Sequence, residues 1–209
     1  MECPNVKINQ GDHEGKTALY LAAENDHTQV VMELLKDPSV DVNKGKKEES
    51  CRVPDAECNH GAPPIFIASR YGHEAVVKAL LADSRLDPNT GLKNNNATPL
   101  YIAAQEGHVN VVRALLSHNR TDPNIRRSDG GGGTPLMKAV EKTYTKRRMR
   151  YVEIVRLLLQ CPKTDHTLKS TSDSSCQCDV LTFARRYGLG LISSDIENRP
   201  SLLERGKTC

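Results

Sequence analysis

Two short apolar patterns alternate along the chain. The first sets Leu or Ile three residues ahead of Ala: Thr17-Ala-Leu-Tyr-Leu-Ala22, Pro63-Pro-Ile-Phe-Ile-Ala68, Thr98-Pro-Leu-Tyr-Ile-Ala103 and Thr134-Pro-Leu-Met-Lys-Ala139, with a weaker Asp179-Val-Leu-Thr-Phe-Ala184. The second pairs apolar residues at helical spacing: His27-Thr-Gln-Val-Val-Met-Glu-Leu-Leu35, His73-Glu-Ala-Val-Val-Lys-Ala-Leu-Leu81, His108-Val-Asn-Val-Val-Arg-Ala-Leu-Leu116 and Tyr151-Val-Glu-Ile-Val-Arg-Leu-Leu-Leu159. Both spacings put the apolar side chains on one helical face and predict helices of two to three turns. Thr ahead of Pro is a helix start, because the hydroxyl caps and Pro needs no N–H partner in the first turn. Gly72 and Gly107 end the first helix of their units by taking the left-handed closing position. A third block, Val40-Asp-Val-Asn43, Leu86-Asp-Pro-Asn89, Thr121-Asp-Pro-Asn124 and Thr164-Asp-His-Thr167, is turn chemistry.

The closing Ala residues of the first pattern fall 46, 35, 36 and 45 positions apart. The base period is therefore about 35 residues, with two insertions of roughly ten. No single helix of this length stands alone in water. Each pair buries its apolar face only against the next pair, so the pattern predicts a linear solenoid. The expected units are 12–43, 58–89, 93–124, 129–167 and 174–192, after a lead-in of 1–11 and before a loose tail of 193–209. Insertions are expected at 44–57 and 143–149, and the fifth unit, lacking a clear second helix, is expected to be a degenerate C-terminal cap.

In phase, these residues closely resemble the ankyrin repeat, Asp-x-x-Gly-x-Thr-Pro-Leu-x-x-Ala-Ala-x-x-Gly-His-x-x-Val-Val-x-x-Leu-Leu closing on Asp-x-Asn, over about residues 12–188. The resemblance implies an all-α, ankyrin-type helical repeat solenoid with short β-hairpin fingers. Three departures stand out. The closing turns are one residue longer than the family pattern, Asn96 replaces the turn Gly of unit three, and Asp26 stands where units two and three have Gly. Asn is the residue that best tolerates the left-handed region in place of Gly.

Composition narrows the function classes. Hydrophobic residues make up 37% of the 209 positions and Trp is absent, so the core must rest on Leu, Val, Ile and Ala. No apolar run reaches the roughly 18–20 residues of a membrane helix, and the first fifteen residues do not resemble a secretory signal. Seven cysteines, an odd number, fit a reduced intracellular protein, cytoplasmic rather than nuclear, better than a disulfide scaffold. Asn96-Ala-Thr98 and Asn119-Arg-Thr121 match the glycosylation tripeptide, which is expected to be fortuitous without export. The net charge of +3 is unevenly spread: residues 12–43 hold two bases against seven acids, and residues 126–167 hold ten bases against four acids.

Candidate chemistry is sparse. Cys51 in insertion one, and Cys58 and His60 just after it, are zinc-ligand types, yet Cys-x6-Cys-x-His is not a usual ligand spacing and a fourth ligand is not apparent. A solvated loop is the favoured reading, and no metal or cofactor is expected. Cys176 and Cys178 lie in a Ser-rich loop. His27, His73 and His108 recur at one repeat position and are expected to be structural, half-buried and bonded to neighbouring backbone. Gly130–Gly133 lacks the preceding strand and following Lys of a phosphate loop, and no catalytic motif appears. The chain is not expected to be an enzyme.

A solenoid offers a long surface that the fold does not consume. By resemblance to the family, protein partners would be met by the finger tips and the exposed side of each first helix. Carried over by position, unit one offers His13, Glu14, Lys16, Glu24 and Asn25; unit two offers Asn59, His60, Arg70 and Tyr71. Unit three offers Asn94, Asn95, Gln105 and Glu106, and unit four offers Glu141 and Lys142 with Arg126 and Arg127 ahead of its finger. Arg70 and Tyr71 head the set, because Arg and Tyr dominate interface energetics. Arg147 and Arg148, with Lys142, Lys146 and Arg150, form a basic cluster suited to an acidic partner. The expected function is therefore a monomeric, non-enzymatic protein-binding scaffold. Two alternatives stand: an adaptor or targeting segment of a larger protein, such as a ligase substrate adaptor, and a nucleic-acid or anionic-ligand binder working through basic unit four.

Overall fold

The computed structural model describes residues 7–47, 61–128, 133–146, 149–169, 179–186, 189–190 and 193–194. Among these lie nine helices: α1 Ala18–Glu24, α2 Thr28–Leu35, α3 Pro64–Tyr71, α4 Glu74–Leu81, α5 Pro99–Glu106, α6 Val109–Ser117, α7 Pro135–Lys146, α8 Met149–Gln160 and α9 Val180–Arg186. They form two layers. First helices stack in the order α1, α3, α5, α7, α9, second helices in the order α2, α4, α6, α8, and each first helix of units one to four packs on its own second helix. The apolar faces meet in one continuous core running through all five units.

The helix boundaries follow from the local chemistry. Thr17 and Thr98 hold extended backbone and accept the Tyr20 and Tyr101 N–H groups on their hydroxyls. Thr134 does the same for Met137 at 3.4 Å. Pro63 stands at the cap of unit two and supplies no such bond. Gly72 and Gly107 close α3 and α5 at φ +83° and +84°. Asp26 and Asn96 hold φ of 58° and 56°, so both replacements for Gly sit in the left-handed region.

The fingers contain no assigned strand among the described residues. They are tight turns, each pinned by two backbone bonds: Asp12 N–H to Lys16 O (3.0 Å) and Gly15 N–H to Asp12 O (2.9 Å) in unit one, and Leu92 N–H to Ala97 O (3.0 Å) and Asn96 N–H to Leu92 O (2.7 Å) in unit three. Fingers also join each other: Lys47 N–H donates to Glu14 O and Ser128 N–H to Asn95 O. Lys46 N–H bonds Ala62 O, and a side chain on Gly45 would meet Gly61 O at 2.1 Å. Residues 44–47 are thus one arm of the unit-two finger, so the insertion expected from residue 44 starts beyond Lys47. The second insertion is helical as far as Lys146: α7 and α8 each have 12 residues, against 7 to 9 in the other units. In unit five, Ser193 N–H bonds Leu189 O at 2.9 Å and Ser193 is buried. That i to i−4 bond ties Ser193 to unit five at the point where the tail was expected to begin.

Three rows of contacts tie unit to unit. In the first, the Asn of each closing turn bridges forward. The Asn43 amide donates to Arg85 O and its carbonyl accepts Asp87 N–H; Asn89 does this to Arg120 and Asp122, and Asn124 to Lys163 and Asp165. In the second, His73 Nε2 lies 3.1 Å from Glu24 O, His108 Nε2 lies 2.9 Å from Arg70 O, and the Tyr151 hydroxyl donates to Gln105 O at 3.3 Å. These carbonyls belong to the ends of the preceding first helices, which have no helical partner of their own. His27, expected to act likewise, is exposed, because among the described residues no first helix precedes α1. In the third, the Arg85 guanidinium gathers the carbonyls of Leu35, Asp37, Pro38 and Val40 and the Asp83 carboxylate. Arg85 holds the Asp83 carboxyl below its ordinary range, despite the opposing effect of burial.

Three buried hydroxyls break the pattern. Ser69, Thr121 and Thr164 are at most 4% exposed, and their oxygens have no hydrogen-bond partner. Other units put Ala23 and Ala104, or Val40 and Leu86, at the same positions. An unpaired buried hydroxyl costs about 1–3 kcal/mol. Ser69→Ala, Thr121→Val and Thr164→Val are each expected to raise the urea midpoint at constant m value, a stability gain of roughly 0.5–2 kcal/mol. A fall in midpoint for all three would reveal a partner for these hydroxyls.

Candidate partner-binding surface

The helix ends fix where the candidate residues stand. Asn25 follows α1, Arg70 and Tyr71 end α3, Gln105 and Glu106 end α5, and Glu141 and Lys142 lie on the longer α7. The row of His73, His108 and Tyr151 bonds anchors the carbonyls beneath Glu24, Arg70 and Gln105, so this edge is held at each step. Tyr71 stands out on it at 51% exposed, with the His73 ring 6.0 Å away.

Several acids and bases of the set are paired with one another. Lys16 Nζ lies 3.1 Å from Glu24 and 3.3 Å from Glu14, and Lys46 Nζ lies 3.2 Å from Glu14. Hydrogen bonds from Lys46 and Lys16 hold the Glu14 carboxyl below its ordinary range. Lys16 also sits 5.8 Å above the Tyr20 ring. Burial, with Glu24 adding repulsion, pushes the Tyr20 phenol well above its usual range, so it stays neutral. Lys138 pairs with Glu141 at 2.9 Å, and Gln105 donates to Glu106. The acidity that the sequence assigns to the unit-one finger is thus partly neutralised by Lys16 and Lys46.

One member leaves the set. Asn95 is 4% exposed and its carbonyl accepts Ala97 N–H at 3.0 Å, so it shapes the finger instead of facing outward. Its neighbour Asn94 is exposed, as are His13 and Asn25. Arg126 and Arg127 are half-buried; Arg127 stacks 5.7 Å over the buried Tyr101 ring, and Arg126 O accepts the Asn96 amide. Asn59, His60, Arg147 and Arg148 lie outside the described residues, as do Cys51, Cys58, Cys176 and Cys178.

At unit four the longer helices bring out Tyr144 (43% exposed) and Met149 (76%) with exposed Lys146 and Arg150. Arg150 lies 5.1 Å over the Tyr151 ring and closes on Gly107, where a side chain would meet Arg150 Nε at 2.6 Å. Sequence reading took the basic residues here and missed Tyr144 and Met149. The signal was available, since Met149 stands between Arg148 and Arg150 and Tyr144 lies two residues from Lys142 and from Lys146, in the segment that lengthens the helices.

Among the described residues, no group of His, Cys, Asp and Glu could hold a metal ion, and no helix is long and apolar enough to cross a membrane. The geometry defines a stacked array of helical hairpins.

The family model described as ankyrin repeats (3 copies) matches residues 3–91 and 65–170, and the chain belongs to the ankyrin repeat family. Proteins of this family generally act as protein-interaction modules. Among solved structures the chain is similar to EF0377, an ankyrin repeat protein, at TM-score 0.73 and 22% identity over 94% of this chain and 87% of that one. It is also similar to an ankyrin repeat domain (ABAYE2397) from Acinetobacter baumannii AYE, at TM-score 0.71 and 22% identity over 92% and 86%. No curated protein matches the sequence.

Proposed function

We propose that this chain is a non-enzymatic scaffold that binds one protein partner along the row of first-helix ends, with an acidic part of that partner against unit four. The observation that supports this best is the anchored edge itself. Its backbone is held by His73, His108 and Tyr151, and an exposed aromatic stands on it at Tyr71 beside Arg70. A rigid aromatic on a fixed edge loses little entropy on binding, which is what interface anchors require. Downstream, Lys146 and Arg150 beside Tyr144 and Met149 combine positive charge with apolar contact.

The test is affinity capture from cell extract, with the wild-type chain beside the triple variant Arg70→Glu, Arg147→Glu, Arg148→Glu. One protein is expected to be retained by the wild type and lost by the variant at least ~10-fold, with the difference growing at low salt. Retention of nucleic acid, with a steep salt slope in a filter-binding series, would overturn the protein-scaffold reading.

A further inference from the structure

The outer face of unit one is built as an interior face. Val30 and Leu34 of α2 stand in register with Val76 and Leu80, Val111 and Leu115, and Ile154 and Leu158, all six 0% exposed. Val30 itself is 48% exposed and Leu34 half-buried. Leu21 of α1, in register with Ile67 at 1% and Ile102 at 7%, is 37% exposed. Terminal repeats ordinarily carry a polar outer face in such arrays. Here the interior pattern is kept, and Ile8, Val30 and Leu34 line one open groove with Glu33 and Asp37 on its rim.

Two further features belong to the same junction. Asn9 bonds forward as Asn43, Asn89 and Asn124 do: its amide donates to Ser39 O and its carbonyl accepts Asp41 N–H, both at 2.7 Å. Lys7-Ile8-Asn9 therefore takes the place of a closing turn ahead of unit one, and these residues of the expected lead-in already join the array. His27, exposed, occupies the position from which His73 and His108 reach the carbonyl at the end of the preceding first helix.

We infer that this face is a second docking surface, distinct from the edge proposed above, and that its occupant is a partner's helical hairpin stacked in line with the array. That hairpin presents an apolar face to Val30, Leu34 and Leu21, a helix-end carbonyl to His27, and a cation beside Glu33 and Asp37. Continuity with the α2–α4, α4–α6 and α6–α8 packing fixes the geometry. The two rim carboxylates set the charge, and against a second copy of this acidic face they repel.

The probe is a hairpin of this kind supplied in cis: residues 91–121 of this chain, which hold α5 and α6, placed directly before Lys7 in the full chain. That register puts Arg120 and Thr121 ahead of Lys7 as they stand ahead of Asp122. The grafted chain is expected to melt at least ~5 °C higher, with slowed amide exchange in α2. Val30→Asp is expected to shift the ungrafted chain by less than ~1 °C, since that site is half exposed, and to remove most of the graft's gain. A graft that changes neither melting nor α2 exchange overturns the inference. So does an ungrafted chain that sediments as a dimer dispersed by Val30→Asp, because the face would then belong to a second copy.

Discussion

Truncating Leu80 to Ala is expected to cost the chain about 2–5 kcal/mol, the range for a buried Leu whose cavity cannot collapse. Leu80 is 0% exposed, and α4 packs on α3 within its unit and on α2 and α6 in the neighbouring units. A cavity there weakens an interior unit and its coupling to both neighbours at once, and in an array whose stability sums over neighbours those losses combine. Leu34 holds the same repeat position in unit one but is only half-buried. Leu34→Ala is therefore expected to cost less than half as much. Urea unfolding of the two variants, with m values compared, checks the contrast. Equal losses would mean that Leu34 is covered in solution.

Gly72→Ala should be the second most damaging change. At φ +83° a side chain carries a backbone penalty of about 1–2 kcal/mol. The added methyl would also meet the His108 ring at 2.5 Å from Nδ1, and that ring cannot withdraw without releasing Arg70 O. Loss of that bond adds about 1 kcal/mol, for a total of roughly 2–3 kcal/mol. The two parts separate in a double-mutant cycle. In a His108→Ala background, Gly72→Ala is expected to cost the backbone part alone. If the penalty is unchanged in that background, the methyl and the ring do not collide. Because Arg70 and Tyr71 precede Gly72 on the candidate edge, the same variant should weaken partner capture.

What could be read from the sequence was what repeats at fixed spacing and acts locally. Thr17 and Thr98 cap within three residues, Gly72 and Gly107 close their own helices, and the left-handed residue at Asn96 followed from its alignment with a turn Gly. The rows between units were not legible, because their partners lie 31 to 50 residues apart and the bonds end on backbone carbonyls and N–H groups, which have no sequence identity. Asn recurs at positions 9, 43, 89 and 124, two residues before Gly at 11, 45 and 91, and that register would have placed Asn9 in the array. Asn95 was misjudged for a related reason. Three consecutive Asn residues look alike, and only the turn decides which side chain folds inward. Tyr151 could have been recognised as the third member of the histidine row, since it aligns with His73 and His108 and its hydroxyl reaches the carbonyl that an imidazole would.

The Asn row also separates distance along the sequence from distance along the stack. Unit spacing swings between 35 and 46 residues, yet each Asn meets the next closing turn through the same pair of bonds. The extra length between units one and two falls between Lys47 and Gly61 in the sequence, outside the stretch that carries Asn43 and outside Arg85 and Asp87, which Asn43 bonds. Length can therefore change there without changing the pitch of the stack, whereas one residue added between Leu35 and Asn43 would set the packing of α2 against the rung that Asn43 makes to Arg85 and Asp87.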